Sequence, residues 1–195
     1  MIYSIGHSDR TLEDLVELLQ TRAITLVADV RKMPRSRTNP QFNLEMLQKD
    51  LPSVGISYVH LPRLTGLRKA GKSISSSNGW RNKSFKAYAD YMESSEFSAG
   101  LDELLTIAQQ STVAVMCSEA VWWRCHRRLI ADALVVRGVD VRHILSKAPA
   151  KSHQLTEIAH VEAGQLSYPE QPGVSDVQAH GVRHPVLPGK NAHAR

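Results

Sequence analysis

At 195 residues the chain is long enough for one domain with a proper core and too short for two ordinary ones. Its 42% hydrophobic and 22% charged residues are those of a globular protein, and no apolar run approaches the roughly 20 residues of a membrane-spanning helix. The net charge of +5 is moderate, so where the charges lie matters more than their sum.

Ile2 to Ile5 predicts a first strand, without the basic stretch and greasy run of an export signal. Two cysteines are too few for a disulfide scaffold, so a reducing, cytoplasmic setting is expected. Leu12, Leu15, Val16, Leu18 and Leu19 then recur at helical spacing, and Thr11-Leu12-Glu13-Asp14 has the form of a capping box. Ile24 to Val30 is the nearly continuous apolar run of a strand buried on both faces. A helix is predicted over Leu44 to Leu51, stopped by Pro52, and a third strand over Ile56 to Leu61. Residues 62–82 form a long loop rich in Ser, Gly and Lys. Phe85, Tyr88, Ala89 and Met92 share one helical face, as do Phe97, Leu101, Leu104, Leu105 and Ala108. Val113 to Met116 is a short buried strand; Leu129 to Leu134 marks a helix closed by Gly138 at its C′ position; Val139 to Leu145 is a fifth strand.

This alternation predicts an α/β domain over residues 1–145, a mainly parallel sheet of about five strands with helices on both faces. Residues 146–195 read as a largely flexible extension, with five of the nine prolines, five of the nine histidines and only a short helix near Leu155 to Val161. From Pro169 onward a loose tail is expected, in which the i, i+4 pair His180 and His184 is incidental.

Ligands of open α/β sheets bind beyond the carboxyl ends of the strands. Three polar groups fall there: Gly6-His7-Ser8, Asp29-Val30-Arg31 and Cys117-Ser118-Glu119, with Cys125-His126-Arg127 opening the next helix. Cys117, at a strand end before a helix start, is expected to be a thiolate nucleophile, because unpaired N–H groups and the helix dipole favour an anion. Glu119 or His126 is the expected proton carrier, His7 a further one, and Asp29, Arg31, Cys125 and Arg127 line the substrate, with the arginines binding an anionic group. The same residues suit zinc or iron, with His7 or Glu119 as a fourth ligand, but the spacing speaks against it: adjacent Cys125 and His126 point apart on a helix. No cofactor is therefore expected, and the metal centre at Cys117, Cys125 and His126 stays an alternative, as does a reversible Cys117–Cys125 disulfide. His60 and His143 read as satisfied structural histidines, and packing is expected of at least one of Trp122 and Trp123. A second alternative is nucleic-acid binding by the basic loop 61–86: no Asp or Glu occurs from Leu51 to Ala89, and Arg63, Arg68, Lys69, Lys72, Arg81, Lys83 and Lys86 lie there. Partners are thus an anionic small molecule or a nucleic acid, and no membrane.

Ile5-Gly6-His7-Ser8, Asp29-Val30-Arg31 followed by Pro34 and Ser36, Tyr58, and Cys117-Ser118-Glu119 with Cys125-His126-Arg127 together resemble the bacterial and archaeal family called domain of unknown function 488. The likeness runs in matching order from the first residue to about Leu145 and implies the fold and the site, Ser36 included, but no reaction. A remoter likeness covers Val113 to Ile144, whose order of strand, Cys, loop, helix, Gly and strand is similar to the catalytic half of rhodanese domains. There the strand-end Cys carries a persulfide in a cradle of backbone N–H groups. Ser118 to Trp123 departs from such a cradle, with an acidic side chain, two tryptophans and no Gly, so sulfur transfer is implied only by analogy of fold.

Overall fold

The computed structural model describes residues 1–68 and 77–170. Strands β1 (Ile2–Gly6), β2 (Leu26–Asp29), β3 (Ser57–His60), β4 (Val113–Cys117) and β5 (Val141–Ile144) run parallel, in the order β3-β2-β4-β1-β5. A short strand β6 (Lys151–Ser152) adds to β5 in the antiparallel sense. Helices α1 (Leu12–Gln20) and α2 (Leu44–Ser53) cover one face; α3 (Lys83–Met92), α4 (Ser95–Ala108) and α5 (Arg127–Val136) cover the other. Among the described residues, no helix is long and apolar enough to cross a membrane.

Strand alternation sorts the apolar side chains between two cores. Ile2, Val113 and Val115 meet Tyr88 of α3, Leu101 and Leu104 of α4 and Leu129 and Leu134 of α5. Tyr3, Ile5, Ala114 and Met116 meet Leu15, Leu18 and Leu19 of α1 and Leu47 and Leu51 of α2. Each fully buried leucine contributes roughly 2 kcal/mol of transfer free energy. The helix starts are fixed by side chains: Thr11 Oγ1 accepts from Asp14 N at 3.1 Å, Asn82 Oδ1 from Ser84 N and Phe85 N, and Ser94 Oγ from Phe97 N. Gly138, at φ 78°, follows the end of α5.

Three expectations change. Pro52 lies inside α2, which runs on to Ser53 before Val54 N and Ile56 N turn back to Leu51 O. One missing N–H in a last turn does not stop a helix whose Leu47 and Leu51 are already buried. The stretch from Leu155 to Val161 is not a helix: it passes through a turn into a hairpin of β7 (His160–Glu162) and β8 (Gln165–Ser167). The extension also divides. Residues 151–168 pack on β5 and α5, anchored by His153, Thr156 and Tyr168, all of them buried. Residues 171–195, including His180 and His184, lie outside the described residues.

Candidate functional site

The order β2-β4-β1 brings the three polar strand ends side by side, and the alternation of the strands then sends their side chains to opposite faces. Cys117 joins the core under α5, whereas His7, Asp29 and Arg31 meet Tyr58 and Phe42 on the α1 and α2 face.

On the α5 side the chain crosses over the end of β1. Gly6 permits this, since a Cβ there would stand 1.8 Å from Glu119 O. His7 N and Ser8 N donate to Cys117 O and Ser118 O and hold the crossing down. A 3₁₀ turn, Trp122–Arg124, leads to Cys125, which is extended (φ −125°, ψ 150°) and not helical; His126 caps α5. The kink between them turns both side chains to one point, with Cys125 Sγ 3.5 Å from His126 Nδ1. His126 Nε2–H donates to Val30 O at 3.1 Å. Arg127, only 2% exposed, directs Nε at Cys125 Sγ (3.5 Å), one terminal nitrogen at Ser4 Oγ (3.1 Å) and the other at Glu119 O. Above the cluster, Gly66 packs so closely on His126 that a Cβ would lie 2.8 Å from Nδ1, and Tyr88 ties the same loop through Leu64 O.

The two thiols divide their proton unevenly. The neighbouring Cys117 thiol, aided by Arg127 and opposed by burial, brings Cys125 down to about 6. The neighbouring Cys125 sulfur, with burial, pushes Cys117 up to about 12. The guanidinium of Arg127 is directed at Cys125 Sγ. Both sulfurs lie in the same apolar core, and Cys125 stands at the start of α5 beside the guanidinium. Glu119 contributes its carbonyl oxygen to Arg127; its side chain is exposed and makes no hydrogen bond or ion pair among the described residues.

On the other face Asp29, fully buried, accepts from Arg31 N at 2.9 Å, from Arg31 Nε at 3.0 Å and from Tyr58 Oη at 2.7 Å. A further Arg31 nitrogen donates to His7 Nε2 at 3.1 Å, while His7 Nδ1–H donates to Ser8 O at 2.8 Å. Both ring nitrogens are engaged, the ring stacks on Phe42, and burial brings His7 down to about 4. His7 is thus a neutral bridge, and the geometry does not favour it as a proton carrier near neutral pH. Arg31 is likewise spent on Asp29 and His7, away from any open surface. Ser36 shapes its own loop, with Oγ accepting from Asn39 N and its N–H donating to Asn43 Oδ1. A cleft of about 310 Å³ lined by Lys32, Met33, Pro34, Arg35, Leu44 and Glu45 opens beyond β2 and touches neither cysteine.

Cys117, Cys125 and His126 offer three ligand atoms within 4.8 Å of one another. Cys125 and His126 do not point apart, as they would on a continuous helix, because Cys125 is extended and lies before α5. Two thiolates and an imidazole suit zinc, and a ring N–H donated to a carbonyl is the usual outer support of such a ligand. No fourth Cys, His, Asp or Glu joins them among the described residues: His7 is on the other face and Glu119 points outward.

Asp132, which the sequence reading passes over, centres a second buried network. It accepts from His153 Nε2 at 2.8 Å, Thr156 N at 2.9 Å, Thr156 Oγ1 at 2.6 Å and Tyr168 Oη at 2.9 Å. His143 bonds His153 at 2.9 Å and stacks on Trp122 with ring centroids 4.2 Å apart. His60 bonds Arg31 O. In the basic loop, Arg63 pairs with Glu103, Lys86 with Asp90, and Arg68 bonds three backbone carbonyls and stacks on Tyr91. Lys69 and Lys72 lie outside the described residues.

The family described as "Domain of unknown function DUF488" matches residues 11–134. The match spans more than half of the chain, which belongs to that family. No curated protein and no solved structure matches the chain.

Proposed function

We propose that this DUF488 protein is a thiol-dependent enzyme in which Cys125 is the nucleophile, His126 the proton carrier and Cys117 the partner thiol. The observation that carries this reading is the buried Arg127. A guanidinium out of water needs an anion, and leaving it without one costs several kcal/mol. Among the described residues no carboxylate pairs with Arg127, and its Nε points at Cys125 Sγ. A thiolate at Cys125 sets a negative charge directly against the guanidinium. His126 completes the arrangement: with Nε2–H on Val30 O, Nδ1 faces the sulfur and takes its proton, so that both N–H groups of the imidazolium then have acceptors. The imidazolium returns the proton to a leaving group as the sulfur attacks. Arg31 and Arg127 are turned inward, so neither supports an anionic-substrate pocket.

Alkylation as a function of pH tests this in single-cysteine variants of the full chain, with chelator present. Cys117→Ser should leave Cys125 with an inflection well below the ~8.5 of a free thiol. Cys125→Ser should leave Cys117 nearly inert. A Cys125 that labels no faster than an ordinary thiol removes the proposal. A second reading, a zinc centre, is favoured by the three ligand atoms within 4.8 Å. Against it, no fourth Cys, His, Asp or Glu joins the three among the described residues. Stoichiometric zinc in anaerobically purified protein, lost in Cys125→Ser, would install that reading instead.

A further inference from the structure

The two sulfurs lie within 4.8 Å of each other, on β4 and at the start of α5, with only the Ser118–Arg124 segment between them. A disulfide of ~2.05 Å requires them to close by at most ~3 Å, within reach of a side-chain rotation at either residue. This proximity has a chemical consequence for any reaction of Cys125. An oxidised sulfur formed there, whether sulfenic acid, persulfide or mixed disulfide, stands beside a second thiol that displaces its outer group. Two thiols so placed can end as a disulfide and deliver two electrons.

The surroundings select the electrophile. Cys117 and Cys125 are 6% and 3% exposed, belong to the apolar cluster with Tyr88 and Leu129, and lie under the loop that carries Gly66. Sulfur at that depth favours a small, uncharged electrophile over a bulky or charged one. We infer that Cys125 and Cys117 together reduce small hydroperoxides, an inference that rests on the nucleophilic Cys125 proposed above. In the first step the Cys125 thiolate attacks the outer peroxide oxygen, the O–O bond breaks, and the His126 imidazolium protonates the departing hydroxide or alkoxide. The products are Cys125 sulfenic acid and water or an alcohol. In the second, the Cys117 sulfur attacks the sulfenic sulfur. Its proton leaves with the hydroxyl as a second water, and the Cys117–Cys125 disulfide forms. The dithiol has lost two electrons and the peroxide has gained them; an external dithiol reductant restores both thiols.

The test is intact mass and thiol count of anaerobically purified full-length protein after stepwise addition of hydrogen peroxide. The expected wild-type product is lighter by two hydrogens, lacks both free thiols and reverts with a dithiol. Cys117→Ser should instead gain one oxygen, trapped on Cys125 by a cyclic dione, and Cys125→Ser should not react. Wild-type protein that accumulates added oxygens without losing two hydrogens overturns the inference. If Cys125 in that protein still alkylates as a low-pKa thiol, the nucleophile proposal stands and the pairing alone has failed. If neither sulfur reacts with peroxide or alkylating agent, both fail together.

Discussion

A single guanidinium holds Cys125 Sγ, Ser4 Oγ and Glu119 O together, so its replacement should separate electrostatic from structural roles. Arg127→Met removes the donor to Cys125 Sγ and the positive charge beside it. Hydrogen bonds to charged groups contribute about 1.5–3 kcal/mol, so the alkylation inflection of Cys125 should rise by about 1–2 units. Arg127→Lys keeps the charge and loses the planar fork that also holds Ser4 Oγ and Glu119 O, so it should recover part of that shift. An inflection that stays put in Arg127→Met would show that the thiolate does not depend on this residue. Gly6 makes a different prediction. Gly6→Ala sets a Cβ 1.8 Å from a backbone oxygen, which no side-chain rotation relieves, so β1 and the Ser118–Ala120 crossing must separate. A loss of about 1–3 kcal/mol in urea unfolding is expected, with altered Cys125 labelling in the folded protein. Unchanged stability and labelling would mean that the crossing tolerates the added methyl.

The secondary elements differ in how far their sequence announces them. α1, α4 and α5 carry periodic leucines, and β1, β2 and β4 carry dense apolar runs; these have local causes and were legible. β6, β7 and β8 are two or three residues long and mostly exposed, so no periodicity marks them. They are held from a distance, by one aspartate more than twenty residues earlier in the chain. That explains why a Pro- and His-rich stretch read as loose and yet packs as far as Tyr168. The Cys125 position was misread for a related reason: the extended residue between a 3₁₀ turn and α5 has no sequence mark, and a continuous helix places Cys125 and His126 on different sides. Asp132→Ala tests the anchoring. It leaves His153, Thr156 N and Tyr168 Oη without their acceptor inside the protein, at a cost of about 3–5 kcal/mol. Proteolysis or hydrogen exchange should then show β6 to β8 released before the sheet opens. Equal protection of those strands in mutant and wild type would deny Asp132 this role.

At the scale of the molecule, the sequence indicated a parallel sheet but not the order of its strands, because each crossover has local causes while the neighbour it reaches does not. That order, β3-β2-β4-β1-β5, places the strand ends together, and the alternation of side chains then divides them into a sulfur cluster and a salt-bridged cluster on opposite faces. Both faces are closed over neutral histidines, which makes the fold sensitive to acid. Burial brings His7 down from 6.5 to about 4, and burial together with His153 and Arg127 brings His143 down to about 2. The unfolded chain therefore takes up these protons first as the pH falls below 6.5, and protonation favours unfolding. Stability from these groups is complete above about pH 7 and is lost progressively below 6.5, with the His7 share levelling off near 4. At about pH 5, one and a half units below the unfolded value, the loss is roughly 2 kcal/mol for each histidine. Urea midpoints measured between about pH 7.5 and 5 should thus fall steadily, and His7→Gln, which cannot gain the proton, should show a shallower fall than wild type. Identical slopes in the two proteins would mean that His7 does not contribute to the acid response, and a flat wild-type profile that neither histidine does.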